Sequence, residues 1–92
     1  MAIVTLRYWA AAKEAAGLGE ETVSAGTLAE ALAAARGKAE GSGEAGQGSR
    51  LRAVLARSSF LIDGMPVGSR APEAVVLGDA SVIEVLPPFA GG

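Results

Sequence analysis

The sequence predicts an α+β fold in which a mixed β-sheet is covered on one face by a helix. Three observations predict it: an alternating apolar strand near the N-terminus, a capped alanine-rich helix, and an apolar strand close to the C-terminus. A length of 92 residues suits one modest core and no second one. We therefore expect a single domain over residues 1–92.

The first elements are a strand, a short helix and a second strand. Val4, Leu6 and Tyr8 alternate with polar residues at the spacing of a half-buried strand. Residues 10–16 are mostly alanine, the best helix former, and Gly17 is placed to end that helix. Residues 20–25 predict a weaker strand that pairs back on the first.

The clearest helix begins at Thr27, because Thr27 and Glu30 fit the capping-box pattern. An apolar stripe at helical spacing follows it, and the helix is expected to end near Gly37. Residues 37–48 are rich in glycine and predict a flexible loop. The loop contains a formal G-x-G-x-x-G, but a helix precedes it and Glu44 would repel a phosphate, so nucleotide binding is not predicted.

The second half predicts a short helix and three further strands. Ser49 is expected to cap a helix over residues 50–57, and residues 59–62 read as a buried strand. Asp63-Gly64 is a hairpin signal, and Pro66 places the return strand at a sheet edge. The last strand covers residues 81–86, with Val82, Glu84 and Leu86 on one face. If the first and last strands lie side by side, this order is that of a β-grasp, the ubiquitin-like roll.

Composition excludes several classes of function. The net charge is −2 and the pI about 5.0, with no basic stripe for nucleic acid. Histidine and cysteine are absent, so we expect no metal site and no imidazole or thiol catalysis. No signal peptide or membrane span is predicted, and a cytoplasmic location is the default. The chain therefore resembles a carrier or binding module more than an enzyme acting alone.

The C-terminal tail, residues 87–92, is the unusual feature: Pro87-Pro88-Phe89-Ala90-Gly91-Gly92. The prolines end the strand and stiffen the exit from it, while the glycines allow the terminal carboxylate to enter a narrow channel. Six extended residues reach about 20 Å. The alternative is that the glycines are chance or an expression-vector remnant.

The two ends of the chain resemble the MoaD/ThiS family of ubiquitin-like sulfur carriers, most closely the small subunit of molybdopterin synthase. The first motif is Leu6 to Gly17, a strand followed by aromatic-Ala-x-x-(Arg/Lys)-Glu-x-x-Gly; the second is the Gly78-Asp79 turn, the last strand and the Pro-Pro-x-x-Gly-Gly tail. The middle is less similar, and its glycine-rich loop looks like an insertion. Lys13 stands where many members have arginine, which keeps the charge and loses a bidentate contact.

The resemblance implies a mechanism and partners. An E1-like adenylating enzyme of the MoeB/ThiF type, using ATP and magnesium, would adenylate Gly92, and a sulfur donor would convert it to a thiocarboxylate. The chain itself would bind no cofactor. The large synthase subunit, of the MoaE type, would receive this sulfur for molybdopterin. Gly91 and Gly92 would be the reactive end, with partner contacts from Val82, Leu86, Pro87, Pro88, Phe89, Ala90 and Lys13.

Other functions stay open at this point. The carrier could instead serve cysteine, thiamin or thio-nucleoside synthesis. A second class is a protein modifier joined through Gly92 to lysines, and a third is an interaction module whose tail has no role. For Val82 and Leu86 the alternative is ordinary packing within the sheet.

Overall fold

A computed structural model describes the backbone of residues 2–35 and 45–88, and the side chains of residues 2–35 and 50–88. The elements in chain order are β1 (Ala2–Tyr8), α1 (Ala10–Ala16), β2 (Glu20–Ala25), α2 (Leu28–Ala34), α3 (Ala45–Arg57), β3 (Ser59–Ile62), β4 (Met65–Pro66), a 3-10 turn (Pro72–Ala74) and β5 (Val82–Leu86).

The strands form one five-stranded sheet in the order β2-β1-β5-β3-β4. β1 pairs antiparallel with β2 and parallel with β5, which aligns Tyr8 with Val85 at the same end of the sheet. β3 pairs antiparallel with β5 on its other side, and β4 lies at the edge, as Pro66 predicts. The first and last strands are therefore adjacent, and β5 occupies the centre of the sheet.

The helices cover one face of this sheet, which we call the inner face. The core lies between them, and its largest fully buried side chains come from β1, β5, α2 and α3: Val4, Leu6, Leu28, Leu51, Ile83 and Val85. Alternate strand residues point to the opposite, outer face, and none of the described helices covers it. The predicted α+β architecture, a mixed sheet with helices on one side, is confirmed.

The capping box at the start of α2 forms with one variation. The Glu30 N–H donates to Thr27 Oγ1 at 3.2 Å, while the Glu30 carboxylate accepts from the Gly26 N–H at 2.7 Å, one residue before the cap. A Cβ on Gly26 would lie only 3.2 Å from Glu30 Oε1, so glycine suits this close approach.

Removing the Thr27 cap is expected to destabilise the fold modestly. Thr27→Ala leaves the Glu30 N–H without its acceptor, which costs about 1 kcal/mol of unfolding free energy. Urea denaturation of this variant measures the loss. Thr22→Ala, an exposed threonine on β2, is the control and should change stability by less than about 0.5 kcal/mol. Equal midpoints for the two variants would contradict the capping role.

α3 differs from the prediction at its N-terminal end. It begins at Ala45 and not at Arg50, so Ser49 lies inside the helix and does not cap it. Glycines at 46 and 48 lower helix propensity, but extension from a packed helical segment adds one hydrogen bond per residue without a new nucleus. Residues 36–44, which include most of the predicted flexible loop and of the G-x-G-x-x-G, lie outside the described part. No helix among the described residues is long and apolar enough to cross a membrane.

The hairpin between β3 and β4 has the predicted turn. Asp63 and Gly64 both have positive φ, +50° and +84°, as a two-residue type I′ turn requires. The Asp63 side chain also accepts from the Val82 N–H at 2.9 Å, which attaches the turn to the beginning of β5.

Candidate functional site

The C-terminal strand delivers the tail from the centre of the sheet. β5 is hydrogen-bonded to β1 on one side and to β3 on the other as far as Leu86. Pro87 is buried and Pro88 is exposed, so the chain leaves the domain between them. Phe89, Ala90, Gly91 and Gly92, predicted as the end of the tail, lie outside the described residues. The tail therefore begins at a fixed point.

The outer face of the sheet carries the predicted contact residues of β5. The strand register places Thr5 opposite Val82, Arg7 opposite Glu84, and Ser59 opposite Leu86 on this face. Val82 and Leu86 are each partly exposed. Because none of the helices that the structure describes covers this face, both side chains are accessible to a partner, although each also packs within the sheet.

Four side chains lie at the end of the sheet where β5 ends, and we call them the exit patch: Arg7, Trp9, Glu84 and Leu86. The Trp9 indole N–H donates to Glu84 Oε1 at 3.2 Å, and the Arg7 guanidinium lies 5.4 Å from the centre of the Trp9 ring. Trp9 is nevertheless 43% exposed. An oriented, half-exposed aromatic ring is a good anchor for a protein partner, because little rotamer entropy is left to lose on binding.

Trp9 is not among the contact residues that the sequence predicts, where it is only the aromatic residue of the first motif. The signal that could have revealed it is the parallel pairing of β1 with β5, because the Trp9 N–H donates to Val85 O at 3.3 Å. That pairing brings the start of α1 to the start of the tail.

Lys13 lies next to this patch. It is exposed and lines a surface recess of about 340 Å³ together with Arg7, Tyr8, Trp9, Gly19 and Glu20. Arg7 and Glu20 form an ion pair at 3.9 Å, whose exposure keeps its contribution small. The structure therefore brings Lys13 to the same end of the molecule as Leu86, Pro87 and Pro88, whereas Val82 lies at the other end of β5.

Beneath this end of the sheet, Tyr8 is buried and its hydroxyl donates a hydrogen bond to the Glu21 carboxylate on β2. Burial, followed by the hydrogen bond to Glu21 and its negative charge, raises the pKa of Tyr8 well above its usual value. The adjacent carboxylates of the Glu20-Glu21 pair thus have separate roles, one on each face of the strand.

Tyr8 is expected to stay protonated in the folded protein at pH values where a free phenol ionises, about pH 10. With the folded-state pKa raised, stability is complete below the unfolded pKa and falls as the pH rises above it, because only the unfolded chain releases the proton. The chain has one tyrosine, so tyrosinate absorbance reports on Tyr8 alone. An absorbance rise centred near pH 10 in the folded protein would contradict the assignment, and Tyr8→Phe should remove the tyrosine part of the alkaline stability loss.

These features define a class by fold: the chain has a β-grasp, ubiquitin-like fold with its last strand in the middle of the sheet. Solved structures show the same fold over nearly the whole chain. Small archaeal modifier protein 1 from Methanosarcina acetivorans has a TM-score of 0.76 at 23% identity, covering 100% of this chain and 98% of that one. Its counterpart from Haloferax volcanii has a TM-score of 0.72 at 18% identity, with 98% and 99% covered.

A third similar structure is one chain of a protein–protein complex. The complex is that of subunits 1 and 2 of molybdopterin-converting factor from Helicobacter pylori, and the chain has a TM-score of 0.65 at 21% identity, covering 98% of this chain and 99% of that one. No protein-family model and no curated protein matches the sequence. These solved structures are at most 23% identical to this chain, and they confirm the β-grasp fold that the resemblance at the two ends of the sequence implies.

Proposed function

We propose that this protein is a sulfur carrier whose C-terminal Gly92 is converted to a thiocarboxylate. The observation that carries the proposal is the place where the tail begins. The tail follows the central strand and starts at buried Pro87, at the end of the sheet where the half-exposed ring of Trp9 lies. An acyl group on such a tail can be presented to a partner's active site while the domain binds that partner's surface.

The chemistry requires activation, because the leaving group from a carboxylate would be oxide. Attack of the Gly92 carboxylate on ATP forms an acyl adenylate and releases pyrophosphate. A sulfur donor then displaces AMP and leaves the thiocarboxylate. Free sulfide would diffuse away, whereas sulfur attached to the tail is present in the partner's active site at a high effective concentration.

We assign the carrier to molybdopterin formation, with the large synthase subunit as the acceptor and an E1-like enzyme as the activator. Two observations support this assignment. One is the Pro-Pro-x-x-Gly-Gly tail, and the other is the similarity to a chain from a complex of two molybdopterin-converting factor subunits. The exit patch, Lys13 and the tail from Pro87 onward would form the shared contact surface, with Val82 at its margin.

Leu86→Asp is expected to weaken binding to the large subunit by about 2 kcal/mol, close to thirtyfold, because it places a charge in the apolar part of the contact. Isothermal titration calorimetry measures the change. Ile3→Asp is the matched control, since Ile3 is a 56% exposed apolar residue on the same outer face at the other end of β1. Equal losses for both variants would show that the exit patch is not the contact.

Reconstitution tests the pathway. The thiocarboxylate form is mixed with the large subunit from the same genome and a sulfur-free pterin precursor, and molybdopterin is assayed. The proposal predicts product formation with regeneration of the Gly92 carboxylate. Consumption of the thiocarboxylate by a cysteine, thiamin or thio-nucleoside system, with no molybdopterin formed, would refute the pathway assignment and retain the carrier.

A second candidate function is protein modification, and the two small archaeal modifier structures favour it. The activation step is the same. The acyl group then passes to a lysine amine of a target with loss of AMP and a proton, which forms an isopeptide bond. Covalent adducts that contain Gly92 linked to target lysines, found in the native host, would support this alternative over sulfur transfer.

A further inference from the structure

A second surface lies on the helical side of the molecule, away from the outer face. α1 and α3 pack side by side, and the surface between them forms a groove of about 290 Å³. We call it the α1–α3 groove. Ala11, Glu14 and Ala15 of α1 face Arg50, Val54 and Arg57 of α3 across it.

The two arginines of the groove, Arg50 and Arg57, are exposed, and neither forms an ion pair or hydrogen bond with a described residue. The intervening arginine differs, since Arg52 donates to the Ala33 carbonyl at 3.3 Å. Glu14, on the opposite wall, is not ion-paired with either arginine. Within the described part of the chain, both guanidinium groups of the groove are thus open to solvent, and guanidinium groups favour carboxylate partners.

The spacing of Arg50 and Arg57 along α3 limits which partner can contact both. Arg50 and Arg57 are seven residues apart on one helix, which places them on the same face about 10 Å apart along the axis. The floor between them is apolar, because Val54 and Ala15 are buried. α3 has no acidic residue although the chain has a net charge of −2. The positive charge is therefore local, and it faces an apolar floor suited to a helix.

We propose that the α1–α3 groove binds an acidic helical segment of a partner protein, with two carboxylates seven residues apart that pair with Arg50 and Arg57. A partner helix repeats its own face at the same spacing, so both ion pairs can form along one seam. The side chain opposite Glu14 would be neutral or basic. This surface goes beyond the sulfur-carrier role: it does not involve Gly92 and can be occupied while the tail is engaged elsewhere.

A peptide titration followed by amide NMR tests the proposal. The probe is an alanine-based helical peptide of about 15 residues with glutamates at i and i+7 and leucines on the same face between them. Shift changes are expected in α1 and α3 and not around the exit patch. A peptide of the same composition with the two glutamates on opposite faces is expected to bind at least about fivefold more weakly.

Matched variants identify the groups involved. The R50E/R57E variant is expected to lose binding by about tenfold or more, whereas R52E/R70E makes the same change in net charge outside the groove and should retain most of it. Glu14→Gln is expected to tighten binding, an effect that a structural role for Glu14 would not produce. Amide dispersion shows that each variant is folded.

Three outcomes would overturn the proposal: no binding of the i, i+7 peptide, equal binding of the scrambled peptide, or equal losses in the two double variants, which would indicate unspecific attraction. A protein lacking Gly92 should bind the peptide as well as the intact chain does. The experiment can therefore refute peptide binding by the α1–α3 groove without bearing on the sulfur-carrier role, and the reverse also holds.

Discussion

Deleting Gly92, or adding residues after it, is expected to abolish thiocarboxylate formation. The reacting group is the terminal carboxylate itself, so an added residue converts it to an internal amide that cannot be adenylated. Deletion retains a carboxylate but shortens the reach from Pro88, by about 3.5 Å, and a misplacement of this size is enough to remove a group from an active site. We expect no measurable acyl transfer in either variant, by intact mass after incubation with the adenylating enzyme, ATP, magnesium and a sulfur donor.

The control for this experiment is the same extension at the N-terminus. β1 is parallel to β5, and its first residue, Ala2, lies at the opposite end of the sheet from the exit patch. An N-terminal extension is therefore expected to leave sulfur loading unchanged. If the C-terminally extended protein loads as well as this control, the tail chemistry is wrong and an interaction module becomes the better account.

The second large effect is on stability. Ile83 is fully buried in β5, paired with Leu6 of β1 and Ile62 of β3. Ile83→Ala removes a buried side chain and leaves a cavity, with an expected loss of about 3 kcal/mol. The whole domain is expected to be stable by about 5–15 kcal/mol, so this single change removes a large fraction. The strand that carries the tail also completes the core.

The loss is measured from the urea midpoint of Ile83→Ala. Ile3→Ala is the control, with the same chemical change on a 56% exposed side chain of the outer face, and its cost should stay below about 0.5 kcal/mol. Comparable midpoints in the two variants would mean that β5 is not the core strand described above.

Most of the fold could be predicted because its signals are local. Val4, Leu6 and Tyr8 alternate as buried strand residues do, Thr27 and Glu30 form a capping box, and Asp63-Gly64 forms the I′ turn that its residue types favour. Each of these depends on neighbours a few residues away. The predicted start of α3 was too close to the C-terminus. The glycines at 46 and 48 have low helix propensity, but an existing helix is extended cooperatively at little cost, so the helix begins at Ala45.

The site was predicted only in part, for a related reason. Leu86 could be predicted from the sequence because it directly precedes the tail, and Pro87 and Pro88 because they begin it. Trp9 joins them through a strand pairing that spans almost the whole chain, with Tyr8 opposite Val85. The α1–α3 groove likewise depends on two helices that are separated in the chain by residues 17–44. Such contacts become visible only when the elements are assembled.

The most direct test of the central claim is the intact mass of the protein purified without a C-terminal tag from its own host, grown with ample sulfur. The sulfur-carrier account predicts a species in which one oxygen is replaced by sulfur, located at Gly92 by fragmentation and absent from the Gly92 deletion. A protein found only as the free carboxylate under these conditions, with neither sulfur nor lysine-linked adducts at Gly92, would contradict it.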